Sequence, residues 1–351
     1  MHLIRRFRYT LTFLALFLGW LWLRPEPGPA VYQLQGQTMG TTYSIRLWEF
    51  PEAPDQETFA ARIQEQLDRL DTELMSLYAE DSQISRFNRT EPGEWFAVAD
   101  EVIDVIRVSE QVSELSGGAF DVTVAPLVQR WGFAETPGAA DQGVLPSDRE
   151  LESLRRQVDY RQLEWRRSAP ALRKQSALRV DLGGVAKGYA VDVLAGYFDS
   201  LALDSYFIEI GGEIRLRGTR PDGGQWVPAI ERPGAGREAQ AVIDPAGRPL
   251  ALAGSGDYRN FFIADGQRYS HEIDPRTGRP VEGNLTAVYV ISDTAVMADA
   301  LSTAFMAMGL DEARRLAEER DLAAFFIYRV GSGDDTLQDH MTPAFAGYLE
   351  R

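Results

Sequence analysis

The segment Asp181-Leu182-Gly183-Gly184-Val185-Ala186-Lys187-Gly188, running on into Tyr189-Ala190-Val191-Asp192, constrains this chain more than any other. Paired glycines here lead into a helix that carries a lysine in its first turns. A helix N-terminus presents unpaired amides and partial positive charge, which together suit an anion. Gly183 and Gly184 have no Cβ, so a phosphate can approach the backbone closely. Lys187 adds a point charge. The segment reads as a diphosphate-binding turn, and equally as a plain strand-to-helix turn with a surface lysine. It matches neither the Walker A pattern nor G-x-G-x-x-G, so P-loop and Rossmann chemistry have no support.

The surrounding composition narrows the chemistry. The 351 residues suffice for one large domain or two ordinary ones, and a hydrophobic share of 44% supports a sizeable core. A net charge of −16 argues against nucleic acid as a partner. Any site for a phosphorylated ligand must therefore be locally positive or use a metal. The absence of cysteine removes disulfides, thiolate nucleophiles, iron–sulfur clusters, thiolate zinc sites and a lipoprotein anchor. The only histidines are His2, His271 and His340. A metal is thus expected to be a hard cation held by oxygen.

The N-terminus reads as an export segment. Arg5, Arg6 and Arg8 precede an apolar run from Tyr9 to Leu23, with no small-x-small cleavage site before Pro25. Residues 1–30 are expected to be an uncleaved signal-anchor and linker. Its positive flank places the body, residues 31–351, outside the cytoplasm: inner membrane, facing the periplasm.

Within the body, Val31–Gln35 and Thr41–Trp48 read as strands around a turn at Met39-Gly40. Apolar residues spaced by three and four predict helices over 55–77 and 98–116, the second stopped by Gly117-Gly118. The run Ala119–Leu127 reads as a buried strand, and 134–147 as a Pro/Gly/Ala-rich loop. A helix over 185–201 follows the double glycine. Short β-prone runs then occupy 206–264, among them Trp226–Ile230 and Tyr258–Ala264. A strand at Asn284–Ser292, helices over 294–309 and 311–319, and a strand at Ala323–Val330 complete the pattern. Helices and strands come in blocks, which predicts an α+β fold.

Three further segments carry chemistry. On the helix over 294–309, Asp299, Ser302 and Thr303 share a face at i, i+3 and i+4. A carboxylate and two hydroxyls suit Mg²⁺ or Ca²⁺, and equally serve as plain polar decoration near a helix N-terminus. His271-Glu272-Ile273-Asp274-Pro275-Arg276-Thr277-Gly278 closes in a turn that accounts for Asp274, Pro275 and Gly278. The turn does not account for His271, which reads as a general base, a phosphate contact or a structural residue. Met39 and Tyr78, both beside turns, are placed to flank an aromatic ring or to fill core.

Taken in order, TMGTTY at 38–43, GGAFDVTVAPLVQRWGF at 117–133, DLGGVAKGYAVD at 181–192, IEIGGEIRLRG at 208–218, SGDYRNFF at 255–262, HEIDPRTGRP at 271–280 and DALSTAFMAMG at 299–309 resemble the ApbE family, the FAD:protein FMN transferases. The resemblance implies a two-part α+β fold with a T-fold-like core and FAD bound between the parts as substrate. By that analogy Met39, Tyr78, Ala119, Phe120, Asp121, Asp181, Lys187 and Ile273 contact the flavin nucleotide. Mg²⁺ is held by the Gly184 carbonyl, Asp299 and Thr303. Ser302 stands where some relatives have a carboxylate, a stronger ligand than a hydroxyl.

The implied reaction joins FMN from FAD to a threonine or serine hydroxyl of an acceptor protein through a phosphodiester, with AMP leaving. His271 takes the hydroxyl proton, with Asp274 next in line. The acceptor is expected to carry a Ser/Thr-Gly-Ala-Ser/Thr-like motif and to be a subunit of a membrane redox complex. This chain has no such tetrapeptide, so self-modification is not expected. Two other activities fit the same residues: a metal-dependent FAD pyrophosphatase giving FMN and AMP, and a non-catalytic extracytoplasmic flavin-binding protein.

Overall fold

Met39 and Gly40 form a two-residue turn, with Thr38 and Thr41 paired across it. Both turn residues have positive φ, 48° and 70°. That is the conformation a tight hairpin demands. It joins β1 (Tyr32–Thr38) to β2 (Thr41–Leu47). The computed structural model describes residues 31–48, 50, 54–133, 145–233, 239–257, 261–264, 267–331 and 336–349. The expected anchor, most of the expected loop over 134–147 and the start of the strand expected at Tyr258–Ala264 lie outside these. Among the described residues no helix is long and apolar enough to cross a membrane.

The hairpin opens an eight-stranded sheet. β3 (Tyr206–Ile210), β4 (Glu213–Arg217), β5 (Leu250–Gly256), β6 (Leu285–Ser292), β7 (Ala323–Arg329) and β8 (Leu337–Met341) follow. The strands lie in chain order. Each is antiparallel to its neighbours. Alternation divides the side chains between two faces. Ile208, Val288, Val290 and Phe326 enter the larger core. Phe207, Ala287, Ile291, Phe325 and Ile327 enter a smaller one on the opposite face, closed by Trp226, Ile230 and Phe345.

Helices cover the first face: α1 (Gln56–Asp68), α2 (Asp100–Leu115), α3 (Ala186–Ser200) and α4 (Ala295–Met308), with α5 (Leu310–Glu319) after them. α1 buries Phe59, Ile63 and Leu67, as its periodicity predicts. It continues into a wider helical turn over Arg69–Met75. α3 and α4 cross closely, and glycine permits it. A Cβ on Gly188 would stand 2.3 Å from the Ala295 carbonyl oxygen and 2.7 Å from Asp299 Cβ. Asp192 of α3 accepts hydrogen bonds from the Ala295 and Val296 amides at 3.0 and 2.8 Å, and so caps α4.

The residues between β2 and β3 other than α1, α2 and α3 form the second part. They include a small sheet of Phe96–Ala97, Ala171–Lys174 and Leu163–Arg166 that the sequence pattern did not reveal. The expected strand at Ala119–Leu127 is absent. Asp121 Oδ1 instead accepts from both the amide and the hydroxyl of Thr123, at 2.8 and 2.7 Å, folding 121–124 into a turn. Pro126, at the start of a short helix over Ala125–Arg130, fits its first turn. The run expected at Trp226–Ile230 contributes only Ala229–Glu231 as strand.

Candidate active site

Every candidate residue except Ser302 and the alternative base Asp274 lines one cavity of about 630 Å³. The β1–β2 turn brings Met39, whose amide donates to Asp71 Oδ2 at 3.0 Å. The stretch after Met75 brings Tyr78, which is 58% exposed. The loop after α2 brings Ala119, Phe120 and Asp121. The approach to α3 brings Asp181, Gly184 and Lys187; α4 brings Asp299 and Thr303; the segment before β6 brings His271 and Ile273. The second part and the sheet therefore share the cavity.

At its floor Lys187 Nζ lies 3.3 Å from Glu213 Oε1 and 3.8 Å from Asp299 Oδ1. The tight β3–β4 turn, with positive φ at Gly211 and Gly212, places Glu213 beneath the lysine. Burial works against the Lys187 ammonium, but Asp299 and Glu213 outweigh it and its pKa is raised. Burial pushes the Glu213 carboxyl up to about 8, with Lys187 opposing and Asp299 reinforcing. The lysine thus stays charged, and Glu213 holds a proton more tightly than an ordinary carboxyl. Burial also raises Glu272, against the pull of His271 and Lys187.

This yields a stability prediction. Glu213 binds its proton more tightly in the folded than in the unfolded chain. Its stabilising contribution is full below the ordinary carboxylate range and is lost as pH rises through about 8. Glu213→Gln cannot titrate and escapes that loss. The melting temperature of the variant minus that of the parent is expected to rise between about pH 5 and about pH 9. Thermal melts across that range check it, and a flat or falling difference refutes it.

The proposed cation ligands meet beside the lysine. Thr303 Oγ1 donates to the Gly184 carbonyl at 3.3 Å. Gly184 is glycine for packing, since a Cβ there would stand 2.9 Å from Thr303 Cγ2. Asp299 is buried, and its Oδ2 accepts from the Gly188 amide at 2.9 Å. Ser302 departs from expectation. It is fully buried behind the cavity, with Oγ donating to the Asp299 carbonyl at 3.0 Å.

The glycine turn also differs from the expected phosphate cradle. The Gly183 amide donates to Asp181 Oδ1 at 2.8 Å. The Val185 and Ala186 amides donate to the Leu182 carbonyl at 3.0 and 2.9 Å. These three amides serve the turn itself, and Lys187 brings the positive charge beside it. Burial raises the Asp181 carboxyl, which the Gly183 amide partly offsets. The Asp121 carboxylate is likewise occupied: beyond its Thr123 bonds, Oδ2 accepts from the Tyr160 amide at 2.9 Å. Its side chain holds the loop that presents Ala119 and Phe120.

His271 leads into the expected turn, where the Asp274 carbonyl accepts from the Thr277 and Gly278 amides at 3.1 and 2.8 Å. Arg276 ties the turn to α5 through Glu312, at 2.8 and 3.0 Å. His271 Nε2 lies 3.3 Å from Glu272 Oε1, which also lines the cavity. Asp274, the alternative base, is absent from the lining, and its carboxylate accepts from the amide and guanidinium of Arg276 at 2.9 and 3.0 Å.

A model of the ApbE family matches residues 39–326. The chain belongs to the ApbE family. The FAD:protein FMN transferase of Vibrio cholerae serotype O1 is 38% identical over 329 residues, covering 93% of this chain and 95% of that protein. The FAD:protein FMN transferase of Escherichia coli K12 is 34% identical over 351 residues, 97% of each. Among solved structures, the flavin transferase ApbE from Vibrio cholerae matches with a TM-score of 0.80 and 36% identity, over 92% of this chain and 100% of that one. The apo form of the flavinyl transferase ApbE from Pseudomonas stutzeri gives 0.81 and 36%, over 93% and 98%. The ApbE resemblance and the two-part α+β fold expected from sequence both hold, and the chain is an enzyme of the transferase class.

Several residues of this ApbE site carried no role in the sequence reading. Glu213 stands after a double glycine and Glu272 beside His271; both were visible but unassigned. Asp71, which fixes Met39, gave no sequence signal beyond its place near a helix end.

Proposed function

We propose that this chain transfers the FMN half of FAD to a threonine or serine hydroxyl of an acceptor protein and releases AMP. One observation carries the reading: Lys187, the Gly184 carbonyl, Thr303 and Asp299 come together on the wall of a cavity that His271 also lines. A cavity of about 630 Å³ suits a cofactor-sized ligand.

The charge balance supports a cation. Lys187 is already paired with Glu213 at 3.3 Å and Asp299 at 3.8 Å. A diphosphate adds negative charge that this pairing leaves uncompensated, which favours a cation beside it. The donors are all oxygen, with a single carboxylate. That fits Mg²⁺, which keeps several waters and takes substrate phosphate oxygens alongside one or two carboxylates. Gly184, Asp299 and Thr303 would hold it, and when bound it supplies positive charge against the transferring phosphate.

Lys187 holds the diphosphate by charge. The acceptor hydroxyl oxygen bonds to the FMN-side phosphorus, the bond to the bridging oxygen breaks, and AMP leaves with that oxygen. His271 takes the hydroxyl proton. Relatives named FAD:protein FMN transferase support a protein over water as the acceptor.

The test incubates the full chain in detergent with FAD, Mg²⁺ and a protein bearing a Ser/Thr-Gly-Ala-Ser/Thr motif. Intact-mass spectrometry is expected to show the acceptor heavier by one FMN-phosphodiester, with AMP released in step. FMN and AMP released at an undiminished rate without acceptor modification would instead establish a hydrolase.

A further inference from the structure

We infer that Ser255, on β5, and not Ser302, supplies the second hydroxyl oxygen of the cation site. This deepens the proposed function and rests on its cation reading. A serine or threonine hydroxyl has one proton and two lone pairs. Ser302 Oγ gives its proton to the Asp299 carbonyl at 3.0 Å. The 2.8 Å contact between Ser302 Oγ and Ser255 Oγ is therefore donated by Ser255. The Ser255 proton is spent within the protein, and lone pairs remain for a ligand.

Thr303 is in the same condition, its proton directed at the Gly184 carbonyl at 3.3 Å. Ser255 Oγ and Thr303 Oγ1 lie 3.4 Å apart. With both protons committed elsewhere, this is a contact between two acceptors, which a shared cation relieves. The separation is that of neighbouring ligands on a hard divalent ion. Right-angle ligands stand about 3 Å apart around Mg²⁺ and about 3.4 Å apart around Ca²⁺. Ser255 lines the cavity and Ser302 does not. The ion is thus held from both the sheet and α4. Antiparallel pairing with Val288 fixes the Ser255 backbone.

The chain has no cysteine, so Ser255→Cys introduces a single thiol. The full-length variant is titrated with Cd²⁺ and followed by ultraviolet thiolate-to-cadmium absorption, a signature that a merely structural role does not produce. A saturable band is expected for Ser255→Cys, and none for Ser302→Cys. In parallel, Mn²⁺ binding followed by electron paramagnetic resonance is expected to weaken at least about tenfold in Ser255→Ala and to stay near the parent value in Ser302→Ala.

Absence of the band in a folded Ser255→Cys chain, or an equal band in Ser302→Cys, overturns the assignment. If Ser255→Cys does not fold, the Mn²⁺ measurement on Ser255→Ala decides alone. Asp299→Ala separates the two levels. If it retains full Mn²⁺ affinity, the cation reading itself fails and Ser255 with it. If it loses affinity while Ser255→Ala does not, only Ser255 is excluded.

Discussion

Asp299→Ala is expected to lower FMN transfer by on the order of a thousandfold while the chain remains folded. Polarising a phosphoryl oxygen through a bound cation is worth several kcal/mol, and about 1.4 kcal/mol is a factor of ten in rate. Asp299 is the only carboxylate of the proposed donor set, and the carbonyl and hydroxyl that remain hold Mg²⁺ poorly. The same change releases Lys187 from one of its two carboxylate neighbours, at 3.8 Å, and removes the acceptor for the Gly188 amide, at 2.9 Å. Asp299→Asn keeps an oxygen for that amide and nearly the same volume. It is expected to match the activity loss with a smaller fall in melting temperature. Transfer measured across Mg²⁺ concentrations, with melts of both variants, makes the comparison. Near-parent transfer by a folded Asp299→Ala at low Mg²⁺ would move the cation site elsewhere.

The asymmetry between Asp299 and Ser302 shows where sequence reasoning reached its limit. Helical spacing correctly put Asp299, Ser302 and Thr303 on neighbouring positions. α4, however, is buried nearly all round. On such a helix, spacing alone does not say which side faces a cavity and which faces the strand behind. Ser302 faces that strand, and its partner Ser255 is 47 positions away along the chain. The strands and long helices were legible because period-two and period-3.6 patterns record burial directly. The run Ala119–Leu127 misled for the opposite reason. Its apolar residues are buried, as in a strand, yet one carboxylate, Asp121, gathers Thr123 and Tyr160 into a turn. The glycines of 183–188 were conspicuous for a helix start, but their physical reason is partly the approach of α4. A single sequence cannot show that contact. Lys187 was legible as a charge near a helix start; its two buried carboxylate neighbours, from β4 and α4, were not.

His271→Ala is expected to slow single-turnover transfer by about two to four orders of magnitude, the usual contribution of a general base, and to leave FAD affinity close to that of the parent. The histidine side chain is 30% exposed, open to an incoming hydroxyl, with Nε2 3.3 Å from Glu272 Oε1. The Phe133 ring, 6.3 Å away and edge-on, packs beside the imidazole. A residue that only held FAD would show the reverse pattern, with weaker affinity and unchanged turnover of bound FAD. Measuring FAD affinity and single-turnover transfer on one preparation separates the two. Unchanged turnover with weakened binding would reduce His271 to a ligand contact. The proton would then fall to Glu272 rather than Asp274. Glu272 lines the cavity, and burial already raises its affinity for a proton. Asp274 is turned onto the Arg276 guanidinium.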